Sequence, residues 1–548
     1  MNLSQKKRQR MLEFLARIRN EHKDDDETLI AINEIESELN SKKYGLVWEK
    51  HEETVDVQMR THIPVFTEDK AKEIETLLGE DYNFILEGDN LHSLYLLEKT
   101  HKGKIDVIYI DPPYNTGKKN DFRYNDSFVV KEDMYRHSKW ISFLSERLRI
   151  AKEILSPNGC IFISIDDDEQ ATLKLLCDEI FGANNFVASV IWEKKFSPQN
   201  DAKWLSDSHD FVIVYSKNKE RWRPNLLPRT ATMDKRYKNP DNDSRGPWTS
   251  GDCSVKTYNA NCDYPITTPS GRIVNPPAGY CWRFSKDSFN EMVNDNRIWF
   301  GKNGNNVPRV KRFLTEVKQG SVCKTIWFRS EVGDTQEGTK DMKKIFGGEA
   351  PFTNPKPVRL INRVLELAST QSSIILDFFA GSGTTAQAVL ELNKLDGGHR
   401  KFIICTNNEN NICTEVTYPR VKTVITGQRE DGSTYSEGIP ANLKYFHTDF
   451  VARDEEYLSD ALLGHVEEMI ELENGIKIDN RKYVIILDEE EADELEKKWD
   501  EYKELKAIYV SNEVLFTTKQ SKMFASKEIY TIPDYYFEFE LRQEEGMS

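Results

Sequence analysis

The feature that most constrains the fold is a repeated alternation of short apolar runs with amphipathic stretches. Ile105–Ile110 is an apolar run of the kind found in strands buried on both faces of a parallel sheet. Similar runs recur at Cys160–Ile165, Ser373–Asp377 and Lys401–Cys405, and the segments between them show helical periodicity. The alternation predicts an α/β protein with a doubly wound, mostly parallel sheet.

The alternation stops between residues 218 and 345, where Pro, Gly, Asn, Trp and Tyr are frequent. The chain has a formal net charge of −16, yet residues 191–350 carry +8 and residues 441–548 carry −14. A basic segment within an acidic chain favours an anionic partner for that segment. We therefore predict five parts: an N-terminal helical extension (1–60), a first sheet segment (61–217), an insertion (218–345), a second sheet segment (346–440) and an acidic α+β C-terminal domain (441–548).

Composition excludes several classes of protein. The eight cysteines of the 548-residue chain form no C-x-x-C pair, so a zinc ribbon or a redox motif has no support. We expect no metal site. No run approaches the ~18 apolar residues of a membrane span. The first residues lack the apolar core of a signal peptide. We expect a cytoplasmic protein without a membrane partner.

The most informative motif is Asp111-Pro112-Pro113-Tyr114, which follows the run Ile105–Ile110 directly. In doubly wound sheets, ligands bind at the carboxyl ends of strands. Two prolines stiffen the loop and remove its backbone donors, so the loop offers acceptors. Asp111 and the carbonyl of Pro112 could accept hydrogen bonds from one amino group, and Tyr114 offers a flat face for stacking. The motif indicates a site for an aromatic amine; the alternative is a proline-rich turn with a capping aspartate.

A second motif, Phe379–Thr385 (FAGSGTT), follows the run that ends at Asp377. Gly381 and Gly383 allow a ligand to approach the backbone between a strand and a helix. The motif lacks the Gly-Lys-Ser/Thr of a Walker A loop, and Ala386 replaces the third glycine of the dinucleotide pattern. A carboxylate at Asp377 would repel phosphate and attract a cationic ligand. Alone, the motif is weak evidence for a site.

Together, D-P-P-Y and F-x-G-x-G resemble the signatures of S-adenosylmethionine-dependent amino-methyltransferases that act on DNA. Their order, with a basic insertion between them, is similar to the β-class circular permutation of that family. More closely, five segments resemble the Mod subunit of type III restriction-modification systems: Phe84–Asn90, Ile108–Gly117, Phe162–Glu169, Phe352–Leu360 and Asn407–Lys422. The resemblance implies a class I, Rossmann-like methyltransferase fold with an inserted target-recognition domain. It also implies a homodimer and a helicase-nuclease restriction subunit as a partner.

The resemblance further implies a role for each motif residue. The target adenine would be flipped out of the duplex and stacked on Tyr114, with its N6 amine held by Asp111 and the carbonyl of Pro112. Asp89 would bind the adenine amine of the cofactor, and Glu409 would bind its ribose, although both could be solvated turn acids. The cofactor residues implied in all are Asp89, Lys356, Pro357, Asp377, Phe379, Gly381, Gly383 and Glu409. Pro113 completes the catalytic motif.

Basic and aromatic side chains alternate in and before the insertion, which matches the position of the target-recognition domain. Cations there would contact phosphates and supply salt-dependent affinity for duplex DNA. The candidates are Lys194, Lys195, Arg221, Arg223, Lys235, Arg236 and Lys238, interleaved with Phe196, Trp222 and Tyr237. For any single cation, an ordinary solvated surface role is the alternative.

We therefore predict a site-specific DNA methyltransferase that acts on the N6 amine of adenine. Methylation of cytosine N4 is the alternative within the class, because the aspartate of D-P-P-Y favours adenine only imperfectly. A catalytically silent DNA-reading subunit is the alternative from another class. RNA or protein amides are further conceivable substrates, but an insertion of over a hundred residues favours duplex DNA.

Overall fold

The computed structural model describes residues 3–22, 25–40, 48–77, 81–118, 122–124, 127–198, 200, 202–318, 320–478 and 481–547. The chain forms two compact units. The larger unit comprises residues 1–223 and 325–548, and the smaller unit comprises residues 224–324.

The larger unit is built on a ten-stranded sheet within the described residues. Its strands are β1 (His62–Glu68), β2 (Tyr82–Glu87), β3 (Ile105–Ile110), β4 (Leu155–Ile165), β5 (Phe186–Glu193), β6 (His209–Ser216), β7 (Ile326–Trp327), β8 (Ile374–Asp377), β9 (Lys401–Thr406) and β10 (Asn442–Ala452). The order across the sheet is β1-β10-β2-β9-β8-β3-β4-β6-β5-β7. Only β1 and β6 run against the other strands described here. The predicted fold class is confirmed.

Helices connect the strands and supply much of the apolar core. The helix Val358–Ala368 precedes β8 and buries Val358, Leu360, Ile361 and Val364. The helices of the larger unit are Leu3–Glu21, Asp26–Asn40, Thr54–Thr61, Asn90–His101, Arg136–Ile154, Gln170–Cys177, Arg329–Val332, Thr335–Ile345, Val358–Ala368, Thr384–Asp396, Tyr418–Thr426, Leu458–Leu463, Val466–Asn474, Glu489–Lys497, Thr518–Phe524 and Asp534–Met547. One continuous cluster of buried side chains extends from β1 to the C-terminal helix.

Two of the predicted domain boundaries differ from the structure. The strand β10 lies in the main sheet between β1 and β2, although the sequence division at 441 assigns it to the acidic tail. Its first five residues are buried because neighbouring strands flank it on both sides. The compact insertion, residues 224–324, is shorter than the predicted 218–345. The strand β7 pairs with β5, so the chain has re-entered the main sheet by residue 326.

The C-terminal region adds a second, smaller sheet. Its strands, Tyr483–Ile486, Ala507–Ser511 and Glu528–Ile532, are parallel and adjacent in that order. A separate apolar cluster, which includes Ile486, Leu495 and Phe524, packs this region.

The smaller unit has short strands and a modest core of its own. Three strands, Ile298–Trp299, Arg309–Phe313 and Trp248–Asp252, form an antiparallel sheet. Two further pairs join Ser254–Val255 to Cys281–Trp282 and Ile266–Thr267 to Ile273–Val274, and the helices are Ala231–Asp234 and Lys286–Asn294. Trp282, Phe289 and Ile298 lie at the centre of its buried cluster.

No helix among the described residues is both long enough and apolar enough to cross a membrane. Within the same ranges, no group of three or more His, Cys, Asp or Glu side chains is arranged to hold a metal ion.

Candidate active site

The two sequence motifs meet at one edge of the main sheet. β2, β9, β8 and β3 are consecutive neighbours and parallel, so their carboxyl ends lie along the same edge. The segments that follow these strands carry Asp89, Glu409, the glycine loop and the D-P-P-Y loop, in that order along the edge. This is the position at which doubly wound sheets bind ligands.

The D-P-P-Y loop, which is the predicted catalytic loop, is held at its proline pair by a hydrogen bond. The indole Nε1 of Trp140 donates a hydrogen bond of 2.7 Å to the carbonyl of Pro113. Trp140 itself is fully buried in the helix Arg136–Ile154. The loop therefore presents its acceptors from a fixed backbone, as its prolines predict.

Asp111 has one carboxylate oxygen in use and one unused. Oδ2 accepts a 2.6 Å hydrogen bond from the ammonium of Lys356. Oδ1 is buried, and no described residue donates a hydrogen bond to it. The hydroxyl of Tyr114 is likewise buried; it lies near the Asp111 carboxylate but makes no hydrogen bond of normal geometry among the described residues. Unsatisfied buried polar atoms are costly, so the buried Oδ1 of Asp111 favours a hydrogen-bond donor as the ligand of this loop.

Charge and burial act on the same loop. Burial raises the pKa of Tyr114 well above its ordinary value, and the negative charge of Asp111 raises it further. The phenol is therefore neutral at physiological pH. The ammonium of Lys356 lies 5.1 Å from the Tyr114 ring centroid and 6.0 Å from that of Trp192. An aromatic ring stacked on Tyr114 would therefore have the ammonium of Lys356 and the carboxylate of Asp111 as neighbours.

A residue outside the four-letter motif fixes the end of the loop. Asn115 has a positive φ of 57° and is fully buried. Its amide donates hydrogen bonds to the carboxylate of Glu169 (2.5 Å) and to the carbonyl of Arg136 (3.2 Å). Nδ1 of His137 lies 2.6 Å from the same carboxylate oxygen of Glu169. Sequence reasoning missed this network, although Asn115 and Glu169 both lie in segments that carry the family resemblance.

Asp377 lies beneath the glycine loop and holds it in place. Its Oδ1 accepts a hydrogen bond from the Phe379 amide (3.0 Å), and its Oδ2 accepts one from the Thr385 hydroxyl (2.5 Å). The side chain is almost completely buried, and this burial raises the pKa of Asp377 to about 7. The structure thus gives Asp377 a loop-positioning role.

The glycines of this loop occupy conformations that suit few other residues. Gly381 and Gly383 have φ values of 48° and 75°. Gly383 directly precedes the helix Thr384–Asp396, whose first turn is therefore reached through a left-handed residue. Phe379 is partly buried, and its ring centroid lies 5.8 Å from that of Phe143.

A buried arginine supports the loop from its far side. Arg420, in the helix Tyr418–Thr426, donates hydrogen bonds to the Ser382 hydroxyl (3.0 Å) and the Thr384 hydroxyl (2.9 Å). Burial lowers its pKa to about 10. Arg420 lies in the last of the five segments of the family resemblance, but the sequence alone did not single it out.

Lys356 and Pro357 connect the two loops. Pro357 precedes the first turn of the helix Val358–Ala368, and the Thr384 hydroxyl donates a 3.4 Å hydrogen bond to the carbonyl of Lys356. Since the ammonium of Lys356 also binds Asp111, one residue joins the glycine loop to the catalytic loop.

Asp89 is held by a buried arginine at the opposite end of the site. Its Oδ1 accepts a hydrogen bond from the Leu91 amide (2.8 Å) at the start of the helix Asn90–His101. The same atom lies 3.1 Å from the guanidinium of Arg147, which also binds Glu53 (2.7 Å) and Asn90. Asn90 in turn donates a 2.8 Å hydrogen bond to the carbonyl of Phe378, next to the glycine loop.

Glu409 is an exposed acid on the turn that follows β9. Asn408, the residue before it, uses its side-chain oxygen to accept hydrogen bonds from the amides of Cys413 and Thr414, each at 3.1 Å. Since Asn408 is committed to the backbone, Glu409 remains the candidate acid at this strand end.

The predicted DNA-contacting residues occupy very different surroundings. Lys194 is mostly buried, and its ammonium binds Asp210 (2.6 Å) and Asp207 (2.9 Å), so its charge is used internally. Trp222 and Tyr237 are buried side chains of the core. The exposed members of the predicted set are Phe196, Arg221, Arg223, Lys235, Arg236 and Lys238, and Lys195 is half-buried. Lys235, Arg236 and Lys238 belong to the smaller unit, and the other cations belong to the larger one.

Comparison with known proteins matches residues 105–417 to the family described as DNA methylase. This range spans both loops and more than half of the chain. The chain belongs to the N6/N4 DNA methylase family. The type II methyltransferase M.KpnI of Klebsiella pneumoniae is 32% identical over 64% of the chain and 87% of its own length.

Two further relatives confirm the resemblance to type III enzymes. The StyLTI Mod subunit of Salmonella typhimurium is 36% identical over 59% of the chain, and the chain spans 52% of that subunit. The EcoPI Mod subunit of Escherichia phage P1 is 29% identical over 79% of the chain and 76% of its own length. The N6/N4 DNA methylase family thus includes proteins that match this chain well beyond the two motifs.

Proposed function

We propose that the chain transfers a methyl group from S-adenosylmethionine to the N6 amine of adenine at specific sites in duplex DNA. The observation that carries this proposal is the buried, unused Oδ1 of Asp111 at a strand end, beside the donor-free loop of Pro112 and Pro113. An exocyclic amine on an aromatic ring can donate hydrogen bonds to Asp111 and to the carbonyl of Pro112 while its ring stacks on Tyr114.

The residues at the edge of the sheet fit the cofactor. S-adenosylmethionine supplies a methyl group on a sulfonium, together with a carboxylate, an ammonium and an adenosine. Lys356 offers a cation for the carboxylate, and the glycine loop above Asp377 offers open backbone. Asp89 keeps a partly exposed carboxylate at the far end, where an adenine amine can reach it.

Asp111 then has two tasks in the reaction. Its carboxylate orients the amine so that the nitrogen lone pair faces the methyl group. Its negative charge also offsets the positive charge that develops on the nitrogen during transfer, inside a site partly closed to water. Tyr114 holds the base by stacking. The proton that leaves the amine passes to the Asp111 carboxylate or to solvent, and no covalent bond to the protein forms.

The test replaces Asp111 with alanine. We expect incorporation of tritiated methyl groups into plasmid DNA to fall by a factor of about 10²–10³ or more, the usual cost of losing one preorganised electrostatic partner. Asp167→Ala is the matched control, because Asp167 is an exposed acid just after β4 at the same edge. Normal methylation by Asp111→Ala would refute the assignment. Mass spectrometry of the nucleosides distinguishes N6-methyladenine from N4-methylcytosine.

We further propose that the chain is the modification subunit of a type III system, acts as a homodimer and joins a helicase-nuclease partner. The names and coverage of its Salmonella and phage relatives support this proposal. Light scattering of the purified protein should give twice the mass of one 63.6 kDa chain. Co-expression with the product of an adjacent reading frame should yield a complex that cuts unmethylated DNA, and a monomer that never forms such a complex would contradict the proposal.

A further inference from the structure

Among the large apolar side chains that the structure describes, the three most exposed lie on loops at the same edge of the main sheet as the D-P-P-Y loop. Leu205 is 94% exposed, Met134 is 90% exposed and Trp204 is 84% exposed. Single exposed apolar residues are ordinary, but such exposure concentrated beside an active site requires an explanation. Met134 lies two residues before Arg136, which exchanges hydrogen bonds with Asn115 at the end of the catalytic loop.

Trp204 and Leu205 belong to the loop that joins β5 to β6, which we call the 194–208 loop. β5 runs parallel to β3, so this loop leaves the sheet at the same edge as Asp111. Trp192, two residues before the loop, and Tyr114 both lie near the Lys356 ammonium, with ring centroids 6.0 and 5.1 Å from it. The base of the loop is therefore close to Tyr114, the ring proposed to stack on the target base.

The base of the 194–208 loop is fixed while Trp204 and Leu205 remain uncovered. The ammonium of Lys194 binds both Asp207 and Asp210, and the Lys194 amide donates a 2.9 Å hydrogen bond to the carbonyl of Ser208. These contacts close the loop at its two ends. Because both ends of the loop are fixed, Trp204 and Leu205 can insert into a partner while the loop keeps its conformation.

The charge beside Trp204 indicates what kind of partner it meets. The ammonium of Lys203 lies 5.3 Å from the Trp204 ring centroid, and Lys203 is exposed. A cation next to an exposed aromatic ring is the pair that nucleic-acid-binding proteins use, because the ring stacks on a base while the cation approaches a phosphate. An apolar protein surface would not use the cation in this way.

We propose that Trp204, assisted by Leu205, is a wedge that enters the duplex and fills the space left by the extruded adenine. The inference rests on the proposed function, since a wedge is needed only where a base leaves the stack. Extrusion costs unstacking energy, and apolar side chains inserted between base steps recover part of it. Trp204 is thus a positioning residue that favours the flipped state and makes no contact with the methyl group.

The test compares Trp204→Ala and the double variant Trp204→Ala/Leu205→Ala on two duplexes that contain the site found by methylome sequencing. In one duplex the target adenine is paired, and in the other it faces a mismatched base that already weakens the stack. We expect single-turnover methylation of the paired duplex to fall about 5- to 150-fold, the range associated with loss of aromatic stacking on one base. On the mismatched duplex the rate should return to near that of the wild-type protein.

A second readout does not depend on methyl transfer. With 2-aminopurine at the target position, the wild-type protein should raise the fluorescence of the DNA, and Trp204→Ala should raise it less at saturating protein. Leu395→Ala is the control, because Leu395 is 80% exposed but lies near the end of the helix Thr384–Asp396, which leads away from the site. It should behave like the wild-type protein in both assays.

Two outcomes would overturn the wedge. One is an unchanged rate on the paired duplex. The other is an equal loss on both duplexes, which would make Trp204 an ordinary part of the DNA-contacting surface. Failure of the proposed function looks different, because the wild-type protein itself would then methylate neither duplex.

Discussion

The catalytic edge of the larger unit and the smaller unit, 224–324, use charge in opposite ways. At the edge, Asp111 and Lys356 pair with each other but keep a buried oxygen open for a ligand. In the smaller unit, the deepest cation, Lys311, is enclosed by Asp241 and Asp243 and has no exposed surface left. The basic side chains of this chain are thus of two kinds: some are enclosed by carboxylates, and others remain unpaired or exposed. Only the second kind is available to contact DNA.

The largest expected effect concerns the enclosed charges of the smaller unit. Lys311→Met leaves Asp243, which is buried, without its ammonium partner. Arg245 is then the one cation still paired with Asp243 among the described residues, and Asn296 donates a further hydrogen bond of 3.1 Å. Removing one partner of a buried ion pair typically costs about 3–5 kcal/mol of stability. Thermal or denaturant unfolding should show this loss, whereas Lys302→Met, which changes an exposed lysine of the same unit, should show almost none. Equal stabilities for the two variants would remove the contrast between enclosed and free charge.

The next effect concerns the ion pair at the catalytic edge. Lys356→Met removes the cation that holds Asp111 and that is proposed to bind the carboxylate of the cofactor. We expect methyl transfer to fall by about 10²–10³, as for other electrostatic groups of active sites. The Michaelis constant for S-adenosylmethionine should rise, while the free energy of unfolding changes little. Lys343→Met, on the exposed surface of the helix Thr335–Ile345, is the control. A purely structural role for Lys356 would instead lower stability and leave that constant unchanged.

A smaller effect separates free cations from committed ones. If Lys235 and Arg236 each contact a phosphate, replacing both with glutamine should reduce the slope of log affinity against log salt concentration by about 1.8, or ~0.9 for each contact. Lys194→Gln should leave the slope unchanged, because its ammonium already binds Asp207 and Asp210. Equal slopes for all three proteins would show that these exposed cations do not contact the DNA backbone.

The smallest effect is a pH dependence at Asp377. Burial raises its pKa to about 7, whereas an aspartate in an unfolded chain titrates near 3.9. Between these values the unfolded chain loses a proton that the folded chain retains, so stability contributed by this residue falls as pH rises from about 4 to about 7. Because asparagine does not titrate, the Asp377→Asn variant does not lose this stability as the pH rises. Its melting temperature relative to the wild-type protein should therefore be higher at pH 7.5 than at pH 4.5, and a difference that is constant with pH would contradict the assignment.

The sequence predicted that the two loops meet at one edge of the sheet, because the signals for the strands and loops are local. An apolar strand that ends at Asp111, and another that ends at Asp377, fix both the fold class and the edge at which the loops meet. Parallel strands place their carboxyl ends together, so two motifs more than 250 residues apart could be brought to one site by the fold class alone.

The partners of charged side chains could not be predicted in the same way. Lys194 reads as a free cation, but its partners come from the next strand and from the loop before it. Lys311 and Asp241 are 70 residues apart. Trp222 lies between two arginines in the sequence, a pattern that predicts an exposed DNA-contacting aromatic, yet its side chain is buried. Such pairings depend on which side chains the completed tertiary structure brings together, and no local pattern encodes them.

The buried guanidinium of Arg147 has a practical consequence for anyone who shortens this protein. The family match begins at residue 105, so a fragment cut there keeps both the D-P-P-Y loop and the glycine loop. It would nevertheless remove Glu53, Asp89 and Asn90, which are the groups that neutralise and orient Arg147. An arginine left without counter-charges inside a helix of the core would destabilise the fragment. A shortened version that keeps all three partners of Arg147 therefore starts before Glu53, among residues that contribute no catalytic motif.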